Sequence, residues 1–158
     1  MKSKYLLPNR FKPIGWIVLI LSICYYILFS LPFLKDIEIW VNVFAIYSDE
    51  FLGESAFFKI VENDIFDEIF CVLFIIGACF VAFSKEKIED EFISKIRLES
   101  LLWATYVNYI LLLLAIIFVF GLSFFMILIF NMFTILIFFI IRFNWILYRS
   151  KRNMAHEK

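Results

Sequence analysis

Four long apolar stretches, separated by charged connections, constrain the fold of this chain most strongly. They cover residues 14–33, 65–83, 101–120 and 122–141. A helix needs about 20 residues to cross the ~30 Å hydrocarbon core of a bilayer, and each stretch reaches or nearly reaches that length. Hydrophobic residues make up 64% of the chain, well above the share in soluble domains. The sequence therefore predicts an all-α, polytopic membrane protein, a single bundle of four antiparallel transmembrane helices.

The distribution of Lys and Arg predicts how these helices are oriented. The N-terminal tail, the segment 84–100 and the C-terminal end contain four, four and five of the 15 basic residues, whereas residues 34–64 contain only Lys35 and Lys59. Basic residues near the ends of transmembrane helices favour the cytoplasmic side. We therefore expect both termini in the cytoplasm and a multi-pass location in the inner (plasma) membrane.

The first connection, residues 34–64, is predicted to form an acidic outer loop. Nine Asp and Glu residues lie within it or at its edge. Alternating apolar residues from Ile37 to Val43 predict an extended segment, because strand side chains point alternately to opposite faces. Residues 49–53 are a candidate turn, and residues 57–61 contain an apolar patch. We expect this loop to fold back onto the outer ends of the helices with its apolar side inward.

The second connection, residues 84–100, is predicted to form a charged cytoplasmic hairpin. Ile88, Phe92 and Ile96 recur at the spacing of one helical face, and no Gly or Pro interrupts the segment. The second and third helices are therefore expected to extend beyond the membrane. The apolar stripe has two interpretations: it packs within the bundle, or it is a candidate surface for a helical cytoplasmic partner.

A polar cluster is predicted inside the membrane between the third and fourth helices. The short turn at 121–123 makes these helices an antiparallel pair, so reflection about the turn places Asn108 and Thr134 at the same depth. Thr105 and Asn131 lie three residues away on the same faces. Amides in hydrocarbon need hydrogen-bond partners. The cluster therefore either joins the helices or forms a polar site for a small ligand, an ion or a lipid headgroup.

Small side chains inside the second stretch predict a helix-packing face. Gly77, Ala78 and Ala82 would let a neighbouring helix approach closely. The cysteines also lie within predicted spans: Cys24, Cys71 and Cys79. They are expected to pack as small buried apolar side chains rather than to form disulfides.

Several classes of function are disfavoured by the sequence. It contains no hydrolase, metalloprotease or phosphate-loop motif, and its single histidine, His156, lies in the C-terminal tail. No Asp, Glu, Lys, Arg or His lies in the middle of a predicted span, which argues against a proton-coupled exporter. We expect no enzymatic activity, no cofactor, no metal site and no direct binding of nucleic acid.

Two segments carry a resemblance to a known group of proteins. They are FSKEKIEDEFISKIRLESLLW at 83–103 and NMFTILIFFIIRFNWILY at 131–148. With the spacing of the four spans, they resemble small uncharacterised membrane proteins of Bacteroidota-type bacteria. The resemblance implies a bacterial four-helix membrane protein and a regulatory pairing with a helix-turn-helix regulator. It carries over no catalytic or binding residue.

The predicted function is that of a non-enzymatic sensor or regulatory subunit that signals to a cytoplasmic partner. Each extramembrane segment offers a surface, and none offers a reaction. Two alternatives remain open: an oligomeric channel or small-solute transporter, and a structural subunit of a membrane complex. The expected partners are membrane lipid, a cytoplasmic protein and further copies of the chain.

Overall fold

The fold is mostly helical, with one small sheet. The computed structural model describes residues 6–29, 31, 39–48 and 56–156. Its elements in chain order are α1 (Phe11–Phe29), β1 (Trp40–Ser48), β2 (Ala56–Asp64), α2 (Phe66–Phe83), α3 (Glu91–Phe118) and α4 (Leu122–His156). The helical content fits the predicted all-α class. The structure also contains a two-stranded sheet, which that class does not include.

All four helices are long and apolar enough to cross a membrane. Their most apolar 18-residue windows are only 17–28% buried inside the protein, so most of their large apolar side chains lie on the outer surface. A water-soluble monomer rarely exposes contiguous apolar surface on this scale. Hydrocarbon is the solvent in which such helices are stable, which supports the prediction of a membrane protein.

α3 and α4 extend beyond the predicted spans at their charged ends. α3 begins at Glu91, well before the apolar stretch 101–120, and α4 continues to His156. The start of α3 is fixed by Asp90, whose carboxylate accepts a hydrogen bond from the backbone N–H of Ile93 over 2.8 Å. Such a cap satisfies one of the free N–H groups of the first turn. The 28 residues of α3 cover about 42 Å, close to the thickness of a bilayer with its headgroups.

Residues 84–90 form a non-helical connection, so the helical hairpin predicted for 84–100 is wrong in its first half. The backbone of this connection is paired with the N-terminal segment instead. The Leu7 N–H donates to the carbonyl of Phe83 over 2.9 Å, and the Lys85 N–H donates to the carbonyl of Leu7 over 2.9 Å. These long-range bonds occupy groups that a continuing helix would have used.

The chain forms two compact units, Met1–Val18 with Ile75–Lys158 and Leu19–Phe74. In the first unit α3 and α4 are antiparallel and joined through Gly121, whose φ of 72° is readily adopted by glycine. Three contacts between the two helices lie at increasing distance from this turn: Asn108 with Asn131, Trp103 with Phe138, and Glu99 with Arg142.

α1 and α2 approach closely at Gly15, also in the first unit. A Cβ placed on Gly15 would lie 2.6 Å from Phe80 Cβ, 2.8 Å from the Val81 nitrogen and 3.0 Å from the Gly77 carbonyl oxygen. No side chain fits at those distances. Ala78, next to Gly77, is fully buried, so the small residues of α2 lie where the helices meet.

Aromatic rings pack together in the second unit. The rings of Tyr25, Phe29 and Phe66 lie 4.8–5.0 Å apart between centroids. Ser22 is fully buried, and its hydroxyl donates to the carbonyl of Leu19 over 2.8 Å. This bond satisfies the hydroxyl within its own helix, so the buried serine costs little.

β1 and β2 form an antiparallel hairpin whose base is joined directly to α2. Trp40 lies opposite Asp64, and Ser48 lies opposite Ala56. The Asp64 carboxylate accepts hydrogen bonds from the N–H groups of Ile39 over 3.0 Å and Phe66 over 3.2 Å. It therefore ties the start of the hairpin to the first turn of the helix.

Most large apolar side chains of the hairpin are exposed. Phe44, Ile46, Phe57, Phe58 and Ile60 are 65–69% exposed, so the predicted packing of an apolar side against the helices is wrong for these residues. Phe58 has a φ of 54°, which is uncommon for a side chain other than glycine and locally disturbs the alternation. The extended segment predicted from alternation is observed from Trp40 onward, in β1, whereas its first residues, 37 and 38, and the candidate turn at 49–53 lie outside the described residues.

Candidate functional site

The two asparagines of the predicted intramembrane cluster are bonded to each other. Asn131 Nδ2 donates to Asn108 Oδ1 over 3.0 Å, and Asn108 Nδ2 donates to Asn131 Oδ1 over 3.4 Å. Asn108 is only 1% exposed. Reflection about the turn had placed Thr134 opposite Asn108, and the observed partner lies three residues earlier, less than one helical turn away.

The two threonines of that cluster do not join the asparagine pair. Thr105 Oγ1 donates to the carbonyl of Leu101 over 2.9 Å, and Thr134 Oγ1 donates to the carbonyl of Phe130 over 3.0 Å. Both bonds stay within one helix, as is common for Thr in apolar surroundings. The geometry therefore favours an interhelical link made by the two amides over a four-residue ligand site.

The three residues of the predicted partner surface differ in how far their side chains are exposed. Ile88 lies in the non-helical connection and is 75% exposed, and Phe92 is 54% exposed in the first turn of α3. Ile96 is 5% exposed and belongs to the core. The stripe therefore divides: Ile96 packs inside the protein, whereas Ile88 and Phe92 remain available at its surface.

Arg97 organises the charged end of the first unit, defined here as residues 6–16 with 84–97 and 143–151. Its Nη1 donates to the carbonyls of Ala82 and Ser84, each over 3.1 Å. Its Nη2 donates to both oxygens of the Glu89 carboxylate over 3.2 and 3.1 Å. The guanidinium also lies 4.8 Å from the ring centroid of Phe143. One side chain thus joins the end of α2, the connection, α3 and α4.

Lys12 attaches the start of α1 to the same end. Its ammonium is ion-paired with Glu86 and lies 5.7 Å from the ring centroid of Phe143, on which Arg97 also packs. Both members of the pair are largely buried, with side chains 15% and 11% exposed. Asn9 Nδ2 adds a bond to the carbonyl of Lys85 over 2.6 Å. The connection is therefore held from both sides.

A cavity of about 830 Å³ opens beside these contacts. Its apolar lining includes Trp16, Phe92 and Leu147, and its basic lining includes Lys87 and Lys151. This volume is within the range of ligand-binding pockets, roughly 300–1,000 Å³. The cavity combines an apolar wall with cations, a composition suited to an amphipathic anion.

Sequence reasoning missed this cavity because three distant segments build it. The basic residues of the lining come from the start of α1, the connection and the end of α4. Taken one at a time, such residues are typical of solvated positions. The only available signal was that all three segments are basic and flank apolar spans. Among the described residues, no group of three or more His, Cys, Asp or Glu side chains converges to form a metal site.

Comparison with known proteins gives no further assignment. No family model, curated protein or solved structure matches this chain. The geometry of the charged end and the asparagine pair are therefore the features from which a function can be inferred.

Proposed function

We propose that this chain is a non-enzymatic regulatory subunit of a bacterial inner membrane that signals to a cytoplasmic protein. The observation that carries the proposal is the exposure of Ile88 on a connection held in a non-helical conformation, next to the exposed Phe92 in the first turn of α3. Arg97 and Lys12 fix that conformation from two sides. A fixed surface with exposed apolar anchors is suited to protein recognition because little ordering is needed on binding.

The proposed orientation places both termini and the charged end in the cytoplasm, and the hairpin outside. It is supported by the concentration of basic residues in the N-terminal, 84–100 and C-terminal segments. Cysteine labelling tests it in a chain whose three native cysteines are replaced. An impermeant maleimide applied to intact cells should label Lys59→Cys in β2 and leave Lys85→Cys unlabelled. The reverse pattern would contradict the orientation.

Cross-linking in native membranes tests the regulatory function. A tagged wild-type chain should cross-link to a stoichiometric soluble protein, for which a helix-turn-helix regulator is our proposal from the sequence resemblance. Ile88→Glu with Phe92→Glu should abolish that product, because charges cannot be buried in an apolar contact. Leu98→Glu is the matched control: Leu98 is also exposed on α3, between two charged residues.

The alternatives give different results in the same experiment. Self-cross-links alone, together with solute flux in liposomes, would support the oligomeric channel and contradict the regulatory function. A structural subunit would give stable membrane partners that survive both the Ile88→Glu/Phe92→Glu change and Leu98→Glu. The mutual pairing of Asn108 and Asn131 uses the amides that a polar channel lining would need.

A further inference from the structure

The cavity at the charged end carries two cations that the fold does not neutralise. Lys87 and Lys151 both line it and are both exposed. Neither forms an ion pair within the part of the chain that the structure describes. Because side-chain ammonium groups attract anions at close range, the cavity presents a positive pole at its rim.

The acidic residues that line the same cavity are already engaged. Glu86 is ion-paired with Lys12, and its side chain is 11% exposed. Asp90 caps α3 through its bond to the N–H of Ile93. Glu86 is therefore neutralised by Lys12, whereas Asp90 keeps its negative charge because a backbone N–H donor is uncharged. With three lysines (Lys12, Lys87, Lys151) and two carboxylates in its lining, the cavity retains a net charge of +1.

The cavity also lies where three membrane-spanning helices end. Lys12 and Trp16 are in the first turns of α1, Phe92 is in the first turn of α3, and Leu147 is near the end of α4. The length of α3 is about equal to the thickness of a bilayer including its headgroups. Its first turn is therefore at headgroup level. Trp16 provides the amphipathic ring typical of this boundary. A lipid reaches such a cavity laterally, without crossing water.

We propose that this cavity binds the phosphate headgroup of an anionic phospholipid. Lys87 and Lys151 hold the phosphate, and Trp16 and Leu147 contact the glycerol backbone and the upper part of the acyl chains. Anionic lipid at the cytoplasmic surface is attracted by about 1 kcal/mol per basic residue, which corresponds to about fivefold in affinity for each lysine. The proposal does not depend on a protein partner. The proposed orientation of the protein matters here only because it decides which leaflet of the membrane supplies the lipid.

Native mass spectrometry of the full chain in detergent tests the proposal. The purified protein is titrated with phosphatidylglycerol, with phosphatidylcholine of the same acyl chains, and with glycerol phosphate as a headgroup without chains. The wild type should retain one phosphatidylglycerol in preference to phosphatidylcholine. Lys87→Glu with Lys151→Glu should lower that affinity by about 25-fold or more, since both cations are lost and repulsion is added.

The matched control is Lys95→Glu with Arg149→Glu. It makes the same change in charge at one residue of α3 and one residue of α4, both exposed and neither lining the cavity. The control should keep the preference for phosphatidylglycerol. Far-UV circular dichroism and thermal melting of both double variants verify folding. All four positions are exposed, and the one ion pair among them, Lys95–Glu99, is itself exposed and contributes little to stability.

Three results would overturn the proposal. One is equal retention of phosphatidylglycerol by both double variants, which would indicate non-specific attraction to the basic end. Another is equal retention of phosphatidylcholine and phosphatidylglycerol by the wild type. The third is binding of glycerol phosphate as tight as that of the lipid, because the site would then take a free phosphate compound and the apolar wall would contribute nothing.

Discussion

Asn108 and Asn131 exchange hydrogen bonds across the α3–α4 pair, over 3.4 and 3.0 Å. Replacing Asn108 by Leu would leave the Asn131 amide without this partner in an apolar environment. We expect Asn108→Leu to lower the free energy of unfolding by about 1 kcal/mol, the usual size of an interhelical polar contact in membranes. Reversible unfolding in mixed micelles measures this difference.

The threonines supply the control for the asparagine pair. Thr105 bonds only to its own helix, so Thr105→Val should change the free energy of unfolding by less than about 0.5 kcal/mol. Asn108→Leu with Asn131→Leu should recover part of the loss, because no amide is then left unpaired. Strictly additive effects of the two single changes would show that the pair is not energetically coupled.

Gly15 is required by the close approach of α1 and α2. Its added Cβ would meet Phe80 Cβ at 2.6 Å and the Val81 backbone nitrogen at 2.8 Å, and backbone atoms cannot rotate away. We expect Gly15→Ala to destabilise the protein by about 1–3 kcal/mol, the typical cost of overpacking. A shift of the thermal midpoint in detergent measures it.

Cys24→Leu tests whether that loss is specific to the contact. It also enlarges a small residue of α1. Cys24 is exposed, however, so the prediction of a buried side chain is wrong for this cysteine, and Cys71 and Cys79 are only partly buried. The thermal midpoint of Cys24→Leu should remain close to that of the wild type. If Gly15→Ala were equally well tolerated, the close contact between the two helices would not exist in solution.

The helices and the asparagine contact could be predicted because their signals are local. Each apolar run marks a span by length alone, and the three-residue turn forces α3 and α4 into register. Reflection about that turn placed Asn108 within one helical turn of its observed partner. Small residues such as Gly77 and Ala78 likewise identified the face of α2 that lies against a neighbour.

The connection and the hairpin were predicted less well because distant residues shape them. Residues 84–90 have a helical pattern, yet their backbone pairs with Leu7, and this pairing leaves no trace in local spacing. In β2 the adjacent Phe57 and Phe58 break the alternation that reveals a strand, and Phe58 adopts a positive φ. Tertiary context overrides local preference at both places.

Arg97 should not be replaceable by lysine. Its guanidinium reaches two carbonyls and both oxygens of Glu89 while lying on the ring of Phe143, whereas an ammonium group lacks the planar fork for these contacts. We expect Arg97→Lys to lower the free energy of unfolding by about 2 kcal/mol. It should also increase proteolysis within 84–90. Arg149→Lys, at an exposed position of α4, should leave both quantities unchanged.

The Lys12–Glu86 ion pair should stabilise the charged end only as a complete pair. Because both side chains are largely buried, Lys12→Met leaves the Glu86 charge uncompensated. We expect that single change to cost about 3 kcal/mol, as measured by unfolding in mixed micelles. Lys12→Met with Glu86→Met should recover much of the loss, since two apolar side chains of similar length can pack where the pair was.

The exposed pair Lys95–Glu99 is the matched control for this ion pair. Its ammonium and carboxylate lie 4.0 Å apart, and the side chains are 77% and 52% exposed. Water screens such a pair, so Lys95→Met should cost less than about 0.5 kcal/mol. If Lys12→Met cost no more than Lys95→Met, the start of α1 would not be anchored to the connection. The connection would then lose one of its attachments and depend on Arg97, Asn9 and the backbone bonds of Leu7 to hold Ile88 in place.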